Sequence, residues 1–231
     1  MKENFKISDD LKQKLKSHGI LEGISETIVT SGRKIPNAAP IGIILKYDRL
    51  FIRLFSGSKT YENLSKEDYF AANITNDALL FVKSAFSDIA DSEFDYVSSK
   101  NITEIKTECE DYFQIPVISK SDSFVIFKCM NRTYSSNLMF IDIKPIYFKI
   151  NNNAQINFVN RGFNSVIDAT VHLTRYKITH DLKYIDLIRY HQGIIQRCGR
   201  PEDKEALLFL KKKKVEFSLE NSNAAELLKK S

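Results

Sequence analysis

Three groups of residues in this chain have the types and spacing to do chemistry. The first is Ser56-Gly57-Ser58-Lys59-Thr60, which sets three hydroxyls, one glycine and one ammonium in five consecutive positions. Glycine lets backbone amides approach an anion, and the hydroxyls and the ammonium add donors, so the stretch reads as a phosphate cradle. An ordinary hydroxyl-rich turn has the same composition. The second group is Asn37-Ala38-Ala39-Pro40-Ile41-Gly42. Its small side chains leave room for a flat ring against main chain that hydrogen-bonds the ring's polar edge; a closely packed strand pair would need the same small residues. The third is Asp168, His172 and Arg175, spaced four and three apart, with Arg161 earlier on the same stretch. On a helix these share a face, either to anchor a substrate or to fix the helix to its neighbour. His180 and His191 have no partner at metal-ligand spacing, so no metal is expected.

The elements that must position these groups are mostly strands. Residues 38–45 and 50–55 are apolar, β-rich runs separated by Lys46-Tyr47-Asp48-Arg49, the length of a hairpin loop. Pro40 sits early in the first run, where it suits an edge or a break in pairing. Residues 24–30 form an earlier strand and residues 66–75 a later one, while residues 8–18, capped by Ser8, read as a short amphipathic helix. Residues 77–86 fit both periods and are assigned to helix. Residues 87–110 are polar and aperiodic, an expected loop or lid. Residues 116–118, 124–130 and 138–150 are expected to complete the sheet, with a polar turn over 131–137. About six such strands suit a small closed barrel better than an open sheet with long edges.

After the turn-rich Asn151-Asn152-Asn153 the pattern becomes helical. Phe163, Val166, Ile167, Thr170 and Leu173 fall on one stripe. A second helix runs through Leu182, Ile185, Ile188 and Ile194 and stops at Gly199 and Pro201; a third starts there and enters Lys211-Lys212-Lys213-Lys214, with the tail from Glu216 expected to fray. The domains expected are therefore an N-terminal helical extension (1–22), a barrel (23–159) and a C-terminal helical subdomain with a basic tail (160–231). The fold class is α+β.

Composition narrows the function classes. In 231 residues, 43% hydrophobic, no apolar run approaches the length of a membrane span and the N-terminus has no apolar signal core, so a cytoplasmic protein without a membrane partner is expected. Cys109, Cys129 and Cys198 are odd in number and widely spaced, as free thiols are. Net charge is +5, concentrated after Lys177, but no aromatic residue interrupts the lysine run as a stacking platform for nucleic acid would require.

Several pieces together resemble the flavin reductase-like, FMN-binding split barrels, and within them an uncharacterised-function family found mainly in archaeal methanogens. They are Glu26-Thr27-Ile28-Val29-Thr30, the Asn37 to Gly42 stretch, Gly57-Ser58-Lys59-Thr60-Tyr61-Glu62-Asn63, Ala72-Asn73-Ile74-Thr75, Asn160-Arg161-Gly162, and Val166-Ile167-Asp168-Ala169-Thr170-Val171-His172-Leu173-Thr174-Arg175. Asp168 departs from the glutamate expected there. The resemblance covers residues 23–200 and implies a split barrel that dimerises, with FMN in a cleft between subunits. The phosphate would lie on Ser58, Lys59 and Thr60, with Ser56 and Asn63 beside them. The ring and ribityl would lie along Asn37, Ala38, Ala39, Pro40, Ile41, Gly42 and Asn73. Arg161, His172 and Arg175 would meet a second ligand, such as a nicotinamide or deazaflavin electron donor. The implied activity is that of an oxidoreductase; the alternative is a binding module, either a flavin carrier or a basic barrel for nucleic acid.

Overall fold

The computed structural model describes residues 7–86, 89–106, 112–151, 156 and 158–228, with side chains to residue 216. Cys109, Asn152, Asn153, Lys229 and Lys230 lie outside the described residues. The chain divides into two units, Met1–Val159 and Asn160–Ser231.

In the first unit, helix α1 (Asp9–Ser17) starts where the Ser8 hydroxyl accepts the Leu11 N–H, with Asp9 and Asp10 favouring the positive end of the helix. Strands β1 (Gly23–Ser31), β2 (Asn37–Lys46) and β3 (Arg49–Phe55) follow. Lys46 pairs with Arg49, so the expected four-residue loop shrinks to Tyr47-Asp48. Both turn residues have positive φ, 52° and 59°, as the two-residue turn that matches strand twist requires. Asp48 is also held from α1, its carboxylate 2.6 Å from the Lys12 ammonium. Next come α2 (Lys59–Leu64), β4 (Tyr69–Ile74), α3 (Ala78–Ala85), β5 (Phe94–Ser98), α4 (Thr103–Lys106), β6 (Gln114–Ile118), β7 (Ser123–Ser135) and β8 (Leu138–Ile150).

Six antiparallel strands close into a barrel in the order β1-β2-β3-β8-β7-β4, which removes the long edges an open sheet would leave. The closure is uneven. Among the described residues β2 pairs with β3 only from Ile44–Phe51 to Lys46–Arg49, so residues 37–43 have β1 on one side and no strand on the other. An edge strand tolerates proline, and Pro40 lies in this open segment.

Three expectations need correction. Residues 116–118 are not part of the barrel: they belong to β6, which pairs with β5 in a separate two-stranded sheet, and β5 lies within the stretch expected to be loop. Its sequence, FDYVS, has three hydrophobic residues in five but buries only Phe94, and it is short and flanked by polar residues. The polar stretch 131–137 is largely strand, with β7 running to Ser135 and the turn confined to Ser136 and Asn137; its exposed outer end has the composition of a turn. Residues 66–68 lie outside β4 and continue the turn that closes α2.

The barrel interior is filled by a cluster including Val29, Ile43, Ile52, Phe70, Val125, Phe127 and Ile141, with the Phe70 and Phe127 rings stacked at 5.4 Å. On the outer face of β4 and β7, Tyr69, Ala71, Phe124 and Ile126 pack against Ile102, Ile105 of α4, and Ile115 and Val117 of β6. Every residue of β4 is buried, since both of its faces are covered, which explains its unalternating apolar sequence.

The second unit is three helices: α5 (Arg161–Thr179), α6 (Lys183–Cys198) and α7 (Pro201–Leu228). Ala169, Leu173, Tyr176, Ile185, Ile188 and Leu210 form its core. The backbone of α7 stays helical to Leu228, past the residues expected to fray. Among the described residues of both units, no helix is long and apolar enough to cross a membrane.

Candidate functional site

The hydroxyl-rich stretch lies where β3 leaves the barrel. Ser56 and Gly57 form a turn, with Gly57 at φ 84°, and Ser58 caps α2. The Ser58 hydroxyl donates to the Phe55 carbonyl at 3.0 Å and accepts the Tyr61 N–H at 3.2 Å, so it shapes the turn. The first amides of a helix have no acceptor within it; that of Tyr61 is taken by Ser58, and Lys59 is the exposed residue among the first three. Lys59 is exposed, and its ion pair with Glu62 is a 3.5 Å surface contact that costs little to break. Thr60 is buried, and its hydroxyl accepts from the Asn37 side-chain amide at 3.0 Å. This bond ties the start of the open β2 segment to the start of α2, so two of the three sequence groups meet in one place.

Along the open segment the residues divide by face. Ala38 packs outward with Ile28, Leu80 of α3 and Phe94, whereas Ile41 and Ile43 face the interior cluster. Gly42 is explained by packing: a Cβ there would lie 2.5 Å from the Ile24 methyl on β1. The Thr27 hydroxyl donates to the Ile41 carbonyl at 2.8 Å. Ala39 and Pro40 are the residues of the stretch that combine small or rigid side chains with partial or full exposure on an unpaired strand.

Other residues hold this region in place: Arg132 and Glu67, which the sequence reading did not single out, and Asn63 and Asn73, which it placed on the flavin. Arg132 donates to the Leu64 carbonyl at 2.7 Å, to the Glu67 carbonyl at 2.8 Å and to the Asp68 carboxylate at 2.7 Å, fastening the end of α2 to β7. It is aimed there just past a bulge between Cys129 and Asn131. The Glu67 carboxylate accepts the amides of Gly32 and Arg33, and the Asn63 side chain donates to the Ser31 hydroxyl at 3.2 Å. Asn73 is fully buried: it donates to the Ile28 carbonyl and the Thr30 hydroxyl and accepts the Ile118 N–H at 2.8 Å, stapling β4 to β1 and β6. Nothing in local sequence signals these bonds, which join residues 32 to 68 positions apart.

The third group lies in the second unit. Asp168 and Arg175 are exposed on α5, and no hydrogen bond or ion pair joins them to His172 among the described residues. His172 instead faces α6, its ring 5.4 Å from that of His191 and 6.0 Å from that of Tyr184. His191, expected to lie elsewhere, is thus its neighbour. Burial lowers the His172 pKa, with His191 and Arg175 adding to the effect against Asp168. Arg161 starts α5, fourteen residues before Arg175, so the two are ~21 Å apart along the helix. The Asn160-Arg161-Gly162 sequence fastens helix ends. The Asn160 side chain accepts the Phe163 N–H at 2.9 Å and donates to the Cys198 carbonyl at 3.2 Å, and a Cβ on Gly162 would fall 2.3 Å from the Gly199 Cα.

A closed six-stranded barrel, open along one strand and followed by a helical unit, defines an α+β split-barrel protein. Residues 25–152 match the family described as the N-terminal domain of the protein of unknown function DUF447, and residues 160–212 match its DUF447 companion. The chain belongs to this family. The uncharacterized protein MJ1453 of Methanocaldococcus jannaschii is 30% identical over 201 residues, 79% of this chain and 93% of that protein. The crystal structure of the FMN-bound DUF447 protein MM1853 from Methanosarcina mazei is 41% identical, with a TM-score of 0.54 over 86% of this chain and 99% of that one. A flavin reductase domain protein from Arthrobacter sp. is 10% identical, with a TM-score of 0.45 over 63% of this chain and 86% of that one.

Proposed function

We propose that this protein binds FMN and works as a homodimeric flavoprotein oxidoreductase. The observation that carries the reading is the meeting of the exposed Lys59 at the start of α2 with the unpaired segment of β2, joined through Asn37 and Thr60. A phosphate monoester fits the first, since an ammonium and backbone amides are its usual partners. A planar ring with a polar edge fits the second, since an unpaired strand offers main-chain donors and acceptors. The FMN-bound relative supports the choice of ligand. Ser58 and Asn73 then act by shaping the turn and the sheet and the buried Thr60 by holding Asn37, while Lys59, Asn37, Ala39 and Pro40 form the contact surface. FMN, when bound, supplies the electron chemistry; the chain supplies binding and orientation.

Lys59→Ala tests the phosphate assignment. A charge-assisted bond is worth roughly 1.5–3 kcal/mol, so FMN affinity should fall about ten- to a hundred-fold. Riboflavin, which has no phosphate, should bind the variant and the parent alike. Equal loss of both ligands contradicts the assignment. Anaerobic mixing with a reduced nicotinamide or deazaflavin should bleach the flavin band at a saturable rate if the protein is an oxidoreductase, and a carrier would exchange FMN without it. The nucleic-acid reading finds little support in α7: four consecutive lysines on a helix project about 100° apart and do not form one stripe, and Lys213 is paired with Glu216 at 2.7 Å.

A further inference from the structure

The first unit holds a second concavity that the flavin reading does not use. A cavity of about 470 Å³ is lined by Leu11, Lys14 and His18 of α1 and its C-cap, Glu104 of α4, and Pro145 to Phe148 of β8. It is remote from the cradle along the barrel wall. Leu138 of β8 pairs with Phe55, immediately before the cradle, and Ile146 is eight residues further on, which is roughly 25 Å along a strand. The cavity volume falls within the range of small-molecule sites, and its accessible lining is more polar than apolar, with Leu11 and Phe148 as apolar surfaces between the polar groups.

Those polar groups have defined states. His18 Nδ1 lies 2.8 Å from the Lys14 carbonyl oxygen and 3.1 Å from the Ser17 hydroxyl, which gives its own proton to the same carbonyl. A carbonyl can only accept, so Nδ1 carries the proton and, in the neutral ring, Nε2 is a bare acceptor. The His18 ring meets the Phe148 ring edge-on at 5.1 Å, and the Lys14 ammonium sits 4.3 Å from the centre of that same ring. Glu104 has a partner of its own, while Lys14 has no carboxylate partner among the described residues. The lining therefore presents one positive charge over an aromatic wall, with no carboxylate partner among the described residues, and one hydrogen-bond acceptor, fixed by consecutive turns of α1 and by β8, with the already partnered Glu104 carboxylate beside them.

We propose that this cavity is a second ligand site, separate from the flavin site, that takes a small aromatic acid. The acid's carboxylate binds Lys14, its ring lies along Leu11 and Phe148, and a ring hydroxyl or N–H donates to His18 Nε2. The test uses the full-length protein as purified, with 4-hydroxybenzoate as the probe and 4-hydroxybenzamide, of the same shape without the charge, as its comparison. Calorimetric titration should give one site per chain for the acid, bound about tenfold or more tighter than the amide. Lys14→Met keeps the stem over Phe148 and removes the charge, and should erase that preference; Lys16→Met, an equal change of charge outside the cavity on the same helix, should leave it intact. His18→Asn should weaken 4-hydroxybenzoate but not benzoate. Equal binding of acid and amide, an unchanged preference in Lys14→Met, or no binding of the acid at about 10 mM, near the weakest affinity a specific site would show, overturns the proposal. Lys59→Ala should not alter probe binding, so failure here is distinguishable from failure of the flavin reading.

Discussion

At the scale of single residues, the barrel spends its polar side chains on fastening rather than on display. Asn73, Thr30 and Arg132 each satisfy two or more groups from different strands or from α2. Cys129 shows what the same interior does to a group it cannot pair. Burial pushes its thiol up from the usual 9.0 to about 12, with Arg132 acting weakly in the other direction and Asp68 adding to the rise. A thiol that holds its proton more tightly when folded stabilises the fold fully below pH 9 and loses that contribution as pH rises toward 12. Two outcomes are expected. Native Cys129 should resist alkylation at pH 8 that labels it readily in urea, and the urea midpoint should begin to fall above about pH 9, at up to about 1.4 kcal/mol per pH unit from this group. Rapid labelling of native Cys129, read by peptide mass, would contradict the burial argument.

At the scale of elements, what could be read from sequence was what depends on neighbours in the chain. The β1 to β3 strands, α1 with its Ser8 cap and the three long helices follow from alternation and apolar spacing, while α3 fits both periods in sequence and its Asp77 cap shows only in the structure. β5 was missed because it is short and flanked by polar residues, the outer end of β7 because its exposed side chains carry no apolar alternation, and β6 was placed in the wrong sheet because three apolar residues do not say which strand they pair with. The cradle was legible as residue types at Ser56 to Thr60; its tie to Asn37 was not, since barrel closure sets that contact. The same distinction explains the glycines of the helical unit. Gly162→Ala would drive a methyl into the Gly199 backbone, 2.3 and 2.5 Å from its Cα and N, and should cost roughly 3 kcal/mol, the upper end for overpacking. Gly193, in the middle of α6, has nothing within 4 Å of its missing Cβ, so Gly193→Ala should gain about 1 kcal/mol from helix propensity. Opposite shifts in the urea midpoint are expected; shifts of the same sign would refute the close-approach reading of Gly162.

At the scale of the whole molecule, the account joins a barrel that is open along β2 to a helical unit of its own core. The barrel interior is filled by Phe70, Phe127 and their neighbours, so the proposed site puts the ring outside, against the open segment, where a second copy of the chain would cover its exposed face. Equilibrium sedimentation should accordingly return about twice the 26.6 kDa of one chain for the flavin-loaded protein; a loaded monomer at micromolar concentration would remove the dimer from the account. The claim on which the rest depends is that the chain binds FMN at all. Its most direct test is the visible spectrum of the purified protein after incubation with FMN and removal of the excess, with the chromophore then released and weighed. The account predicts a flavin spectrum, one FMN per chain by mass, and loss of most of it in Lys59→Ala; a colourless protein that retains no FMN would contradict it.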